Sequence, residues 1–318
     1  MTTNILIIGC RGQDGSYMAK SLIRQGFNVI GTSRFEKPDL TAHKKIGIKQ
    51  VCKIEKLNLT HIKETANLIE EYAPSEIYNF SAQSSVGLSF TRPVETLNSI
   101  VDTTRTLLEA ARIVKFPGRI FFAGSSEIYG ETKTGVKIDD KQNPKNPYGL
   151  AKQQSLGLVD LYREIYGIKC ITGILFNHES PIRPTKFVTS KIINGAIKSL
   201  KDKNFKLHLG NKAIRRDWGW AEEYVDAMQL ILRAPLLKNQ IVCTGISTSL
   251  KDFVEKSFNK LDLDYRNFVE FKKDLVRPIE IQESFGDPSA LEKELGWKAS
   301  VLIDEIIEKL LEAKLNCV

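Results

Sequence analysis

Cysteine is sparse and scattered in this 318-residue chain: Cys10, Cys52, Cys170, Cys243 and Cys317 are odd in number and form no CxxC pair. That pattern excludes a disulfide framework and a cysteine-based zinc site, and it predicts reduced thiols. Long apolar runs are missing too; nowhere do about 18 apolar residues follow one another, which argues against a membrane-spanning helix. The N-terminal MTTNILIIGC enters a strand with neither a basic leader nor a cleavage site, so a soluble, cytoplasmic chain is expected. A net charge of +8 and a pI near 9.1 raise nucleic acid as a partner, yet the lysines of KSLKDKNFK and EKSFNKLDLD are interleaved with acids. Without a basic block nucleic acid is not expected, and a phosphate-rich small ligand with a solvated basic surface accounts for the charge. Repeats, low-complexity tracts and Gly/Ser linkers are absent as well.

What is present is alternation. The apolar run NILIIG, the helical spacing of SYMAKSLIRQG and the short FNVIGTS read as strand, helix, strand. A helix over THIKETANLIEEY, a strand SEIYNFSA, one long helix within PVETLNSIVDTTRTLLEAARIV and a strand RIFFAG continue the series. A helix from Pro147 to a stop at Gly167 follows, and then the strand IKCITGILF. The order calls for an α/β fold, a Rossmann-type doubly wound parallel sheet. Beyond residue 176 the pattern loosens: NHESPIRPT reads as a loop, and FVTSKIINGAIKSLKD and EEYVDAMQLILRA read as helices. Residues 1–176 are expected to form the dinucleotide-binding domain, with later segments able to return to it. Residues 177–318 should build mainly a smaller, interleaved α+β substrate-binding domain.

Gly9, Gly12 and Gly15 fall between the first strand and the first helix, where glycine permits a tight turn and brings backbone N–H groups close to a pyrophosphate. After the second strand an NAD-binding fold usually shows an acid for the ribose 2′-hydroxyl. Here Thr32, Ser33 and Arg34 stand instead, and Arg34 with Arg11 could pair with a 2′-phosphate. NADP is therefore favoured over NAD; the plain alternative leaves Arg34 a surface arginine.

YxxxK occurs twice. Tyr129 and Lys133 lie just after a strand, where no helix aligns them, whereas Tyr148 and Lys152 follow a helix-starting proline and so share one face. An ammonium beside a phenol favours phenolate, which suits a base removing a hydroxyl proton during hydride transfer. The stretch AGSSEIYG then explains itself. Ligands of a parallel sheet sit at the carboxyl ends of its strands, and RIFFAG delivers Ser125, Ser126 and Glu127 there, near Tyr148 and Lys152. The competing reading makes these residues turn caps with a solvated Glu127.

With GCRGQDGSY, SSEIYG, PYGLAK, GILFNHESP, RRDWGWAEEYVDAM, VRPIE and GDPSALEKELGW in view, the chain resembles the extended short-chain dehydrogenase/reductases, and within them the GDP-mannose 4,6-dehydratases. The resemblance runs nearly end to end. SSEIYG and YxxxK are shared with epimerases and decarboxylases of nucleotide sugars; FNHESP, RDWG and RPxE are more specific. It implies that Tyr148 is the base at the sugar 4-hydroxyl, that Lys152 tunes it and holds the nicotinamide ribose, that Ser125 polarises the 4-hydroxyl and that Glu127 acts at C5. It also implies cofactor contacts from Gly9, Arg11, Gly12, Gln13, Asp14, Gly15, Arg34, Asn58, Leu59, Ala82, Gln83, Ser84, His178 and Arg183. The GDP-sugar would meet Ser85, Asn177, Lys191, Arg216, Arg277 and Glu280. The apolar stripes of the two helices flanking RIFFAG would form a four-helix seam, giving a homodimer or homotetramer, although a monomeric core explains them nearly as well.

Departures accompany the likeness. Asn58 stands where the family usually carries an aspartate, IRPTKFVTSK puts Ile182 and Ser190 at arginine positions, and Phe35 follows a single Arg34. His43, His61 and His208 lack ligand spacing and read as surface or packing residues; Asp217 and Trp218 read as structural, orienting Arg216 and packing the loop, and Trp297 reads as core. Glu127 separates the alternatives, since a GDP-sugar epimerase or reductase has no step requiring a base at C5, whereas a dehydratase of a related sugar such as a GDP-heptose would. A non-catalytic dinucleotide sensor would need neither base.

Overall fold

The computed structural model describes residues 3–48 and 53–316; Cys52 and Cys317 lie outside them. The first half runs β1 (Asn4–Ile8), α1 (Gln13–Arg24), β2 (Asn28–Ser33), α2 (Thr41–Lys45), β3 (Lys53–Lys56), α3 (Ile62–Tyr72), β4 (Glu76–Asn79), α4 (Val86–Thr91), α5 (Pro93–Leu97), α6 (Thr103–Ile113), β5 (Arg119–Ala123) and α7 (Pro147–Tyr166). The second half runs β6 (Cys170–Leu175), β7 (Asn177–Glu179), α8 (Val188–Lys201), β8 (Leu207–Leu209), β9 (Arg215–Trp220), α9 (Ala221–Arg233), β10 (Gln240–Val242), β11 (Ser247–Ser249), α10 (Leu250–Asn259), β12 (Val269–Phe271), β13 (Glu283–Ser284), α11 (Ser289–Leu295) and α12 (Ile303–Leu315).

Seven parallel strands in the order β10-β6-β5-β4-β1-β2-β3 form the main sheet, so the expected doubly wound architecture is present. Period-two alternation splits β1 between the two faces: Ile5 and Ile7 join Met18, Leu22, Tyr224 and Met228 under α1 and α9, while Leu6 and Ile8 join Leu107, Leu108 and Val159 under α6 and α7. Each such buried aliphatic side chain contributes about 1.5–3 kcal/mol. A third core, built from Ile192, Trp218, Trp220, Phe253, Phe258 and Ile306, fills the smaller lobe between α8, α10 and α12.

One sequence expectation is refined and one corrected. The long helix expected within 93–114 is present, and its α-helical register is interrupted by a π-helical turn at Asn98–Asp102. Side chains explain it: the Ile100 carbonyl accepts from Thr104 Oγ1 at 2.9 Å and from Ser155 Oγ at 3.4 Å, which draws it away from the regular ladder. NHESPIRPT is not loop throughout, because Asn177–Glu179 pair in parallel with Trp218–Trp220 of β9. β9 also pairs with β11 and β13, which makes it the hub of the smaller sheet.

Candidate active site

Gly9 ends β1 in the left-handed region at φ +82°, and a Cβ there would stand 2.8 Å from the Phe80 carbonyl. Gly15 seats α1 against the turn; its Cβ would lie 2.4 Å from the Gly9 oxygen. Gly12 is the N-cap and has no side chain to occupy the first-turn amides, so α1 presents bare donors at the carboxyl edge of the sheet. This cradle fits a pyrophosphate. Next to it, Phe35 lies between two guanidiniums, with Arg11 at 5.2 Å and Arg34 at 4.9 Å from its ring centre. Arg34 and Asn58 are exposed, and Leu59 is buried. Ala82 holds a positive φ of 93° between β4 and α4, a conformation costly for a side chain and found where neighbouring structure enforces it. Ser84 is exposed beside it, while Gln83 is committed to the loop, accepting from the Ser85 amide and donating to Thr96 at 3.0 Å. Ser85 caps α4 through the Leu88 amide.

Gln13 and Asp14 turn inward instead of outward. Gln13 donates to the His178 carbonyl at 3.0 Å and accepts from Ser180 at 2.7 Å, stitching α1 to β7. Asp14 meets His178 Nε2 at 2.9 Å, and His178 Nδ1 meets the Phe176 carbonyl at 2.8 Å. Both ring nitrogens therefore face acceptors, which suits an imidazolium. Burial opposes that charge, but the Asp14 carboxylate outweighs it and raises His178 above its ordinary value. Tyr224 stacks under the imidazole at 4.6 Å.

The four residues at the centre converge. Ser125 caps the short turn after β5 by accepting from the Glu127 amide, and its side chain faces the Tyr148 hydroxyl. Tyr148 and Lys152 share one face of α7, the Lys152 ammonium lying 5.7 Å from the phenol ring centre. Lys152 donates to the Ala123 carbonyl at 2.7 Å. The expectation that lysine lowers the phenol is not met in this arrangement. Burial pushes Tyr148 up to about 12; the Ser125 side chain opposes the rise, and Glu127 and Asp14 add to it. Burial likewise pulls Lys152 down to about 8, against the attraction of Asp14. Behind Lys152 a small cavity of about 20 Å³ is lined by Thr104, Ser155 and Thr172 among others.

Across the cleft Arg216 of β9 is buried, 7% exposed, and its pKa is lowered by that burial while Glu127 and Glu280 pull it back. Its Nη1 donates to the Arg215 carbonyl at 2.8 Å; Nη2 has no hydrogen-bond partner among the described residues and lies 4.0 Å from Glu280. Glu280 also attracts Arg277 at 3.9 Å. Asn177 opens β7, half-buried. Arg183 pairs with the buried Glu179 at 3.0 Å and lies over the Phe187 ring at 4.1 Å. Lys191 of α8 is exposed and donates to the His208 carbonyl at 2.6 Å.

Asn146 escaped sequence reasoning, and the partners of His43 and Asp217 were not legible in it. Asn146 links the N-cap of α7 to Glu127, donating to its Oε2 at 2.7 Å; an N-cap before PY was legible, the second bond was not. His43, read as a packing residue, is buried with Nε2 2.7 Å from the Cys10 carbonyl inside the glycine turn. Asp217 is fully buried, accepting from Thr244 N, Thr244 Oγ1 and Gly245 N at 2.9, 2.6 and 2.8 Å, so it ties the turn at 244–245 to β9.

Comparison with known proteins follows the same lines. Among solved structures the fold is shared with a dTDP-glucose 4,6-dehydratase from Streptomyces venezuelae with NAD bound, at a TM-score of 0.88 and 18% identity over 99% of this chain and 97% of that one. It is shared also with a UDP-glucose 4-epimerase from Thermotoga maritima with UDP-glucose, at 0.83 and 19% over 99% of each. The family profile described as GDP-mannose 4,6 dehydratase matches residues 6–310. GDP-mannose 4,6 dehydratase 1 of Arabidopsis thaliana is 34% identical over 98% of this chain and 89% of its own length. The human GDP-mannose 4,6 dehydratase is 33% identical over 97% and 90%. With a match that spans nearly the whole chain, and identities above 30% to relatives that it covers almost completely, the chain belongs to the GDP-mannose 4,6-dehydratase family.

Proposed function

We propose that the chain converts GDP-D-mannose to GDP-4-keto-6-deoxy-D-mannose. The observation that carries this reading is Glu127, held by Asn146 on the Tyr148 side of the cleft with the buried Arg216 opposite. Tyr148 takes the proton of the sugar 4-hydroxyl while Ser125 orients that hydroxyl. A nicotinamide held beside Tyr148 and Lys152 would supply the hydride chemistry, oxidation at C4 and reduction at C6, and the positive charge of its oxidised ring would favour the phenolate. The C4 ketone acidifies the C5–H bond. Glu127 removes that proton and passes it to the C6 hydroxyl, which leaves as water as the C6–O bond breaks and the C5–C6 double bond forms. The proton delivered to C5 when hydride returns to C6 is balanced by the one Tyr148 took from the 4-hydroxyl.

Gly9, Gly12 and Gly15 with the first turn of α1 would hold the pyrophosphate, and Lys152 the nicotinamide ribose. Arg34 and Arg11 flanking Phe35 favour NADP, through a 2′-phosphate pairing that NAD lacks. Arg216 and Arg277 would meet the diphosphate, with Asn177, Lys191, Ser85 and Glu280 around the GDP-sugar. Residues 1–176 are assigned to the cofactor domain, with β10 added at the edge of its sheet and α9 packed on the face, and the remainder mainly to the substrate domain. Exposed Leu150, Leu161 and Ile165 on α7 suit a homodimer seam.

Incubation with GDP-mannose and catalytic NADP tests the reading: the nucleotide sugar should lose the mass of one water without added reductant. E127Q should fold normally and dehydrate about 10²- to 10⁴-fold more slowly. Stoichiometric consumption of NADPH would overturn it in favour of a reductase, and a fully active E127Q would overturn the role given to Glu127.

A further inference from the structure

Asn146 carries two bonds in opposite directions. Its Oδ1 accepts the Gly149 amide at 2.8 Å and so caps α7, and its Nδ2 donates to Glu127 Oε2 at 2.7 Å. The side-chain orientation is fixed by both ends at once, since a flipped amide would set donor against donor at Gly149 and oxygen against oxygen at Glu127. The backbone holds the two residues together as well. A Cβ on Gly149 would stand 2.5 Å from the Glu127 carbonyl oxygen, so only a glycine lets the helix start lie on this strand end. Asn143 N donates to the Ile128 carbonyl at 2.8 Å alongside, and Gly130 at φ +71° accepts no Cβ against Asn143.

We propose that Asn146 is the positioning residue for Glu127, registering the carboxylate that acts at C5 to the helix that presents Tyr148 and Lys152. The inference rests on the dehydratase reading of this cleft. A charge-assisted bond from Nδ2 locks Oε2 and leaves Oε1 as the oxygen that faces substrate. The Glu127 amide, bonded to Ser125 Oγ at 3.3 Å, fixes the other end of the residue. One amide thus sets the distance between the group that starts the reaction at C4 and the group that continues it at C5. An ordinary capping serine in the same place would hold the helix equally well and would leave Glu127 free to rotate, which separates the two duties experimentally.

The test uses N146S and N146D, both of which retain an oxygen for the Gly149 amide. N146S should keep Tm within about 2 °C of the native protein, because serine and asparagine cap helices about equally. Its kcat with GDP-mannose should fall about 10- to 100-fold, the worth of a hydrogen bond to a charged group, with KM nearly unchanged. With GDP-mannose deuterated at C5 the kinetic isotope effect should rise, since proton removal by a loosened Glu127 becomes more fully rate-limiting. N146D, which opposes one carboxylate with another, should lose more than N146S. Native kcat and a native isotope effect in N146S would overturn the proposal. Crystal structures of the native protein and N146S address the geometry without substrate: a Glu127 carboxylate swung from its native orientation in N146S supports the proposal, and an unmoved one overturns it. If the native chain leaves GDP-mannose untouched, the functional reading falls while that structural comparison still decides the role of Asn146.

Discussion

The two walls of the cleft hold their charged groups by opposite means. On the large-sheet wall, Tyr148 and Lys152 ride one 20-residue helix whose limits are set locally, by Asn146 and Pro147 at its start and Gly167 at φ +66° at its end. On the other wall, Arg216, Arg277 and Glu280 come from β9 and a distant loop, and β9 is fixed by a buried carboxylate, Asp217, holding the turn at Thr244 and Gly245. Helical periodicity places the first pair; long-range buried polar bonds place the second group. The first wall should therefore tolerate loss of a side chain without loss of fold, and the second should not.

Lys152→Met gives the sharpest break. Activity should fall by at least about 100-fold, as expected when a group serving the general base is removed. Stability should move the other way. Burial lowers the Lys152 pKa from 10.5 to about 8, so below pH 8 the folded chain carries the cost of a buried ammonium that the unfolded chain does not. As pH rises from about 8 to 10.5 the folded chain releases its proton first and native stability recovers. K152M should thus unfold later than the native protein at pH 7, by up to about 3 kcal/mol, with the gap closing near pH 10.5. Urea unfolding at both pH values checks it, and a K152M protein less stable at pH 7 would break the contrast.

Asp217→Asn probes the opposite wall. The amide would turn an NH₂ toward N–H donors at Thr244 and Gly245, at a cost of about 1–3 kcal/mol. Burial raises Asp217 to about 6 despite those donors, so the native protein gains stability from this group as pH falls from 6 toward 4; D217N should lose that gain. Because Arg216 is its neighbour in β9, KM for GDP-mannose should rise more than kcat falls. A D217N protein of native Tm and KM would mean that this wall, too, is fixed by local structure.

The same difference explains what the sequence made legible. β1, β2, β4, β5 and β6 appear where the apolar runs place them, and α7 begins and ends at its proline and glycine, because those signals are local. The π-helical turn at Asn98–Asp102 did not announce itself: it depends on Ser155, from another helix, reaching the Ile100 carbonyl. β7 was hidden for a related reason, since three residues become a strand only because β9 lies beside them. At the site, the shared face of Tyr148 and Lys152 follows from i, i+4 spacing. The direction of the Tyr148 shift does not, because burial and two carboxylates from other elements set it.

Arg34 belongs to neither wall, and it should give the smallest effect. It is exposed at the end of β2, resting on Phe35 across from Arg11, so its charge is screened by solvent and salt. A guanidinium pairing with a 2′-phosphate is worth about 1.5 kcal/mol at the low end for a charged hydrogen bond, roughly a tenfold change in affinity. R34S should therefore weaken NADP about tenfold and leave NAD nearly untouched, with Tm unchanged because the side chain supports no buried group. The discrimination should shrink further as salt rises, since an exposed pair is screened where a buried one is not. Titration of both dinucleotides against native and R34S protein at low and high salt decides the matter. Equal weakening of NADP and NAD would mean that Arg34 holds the adenosine end through its stack on Phe35 and not through the phosphate, and the proposed preference for NADP would then rest on Arg11 alone.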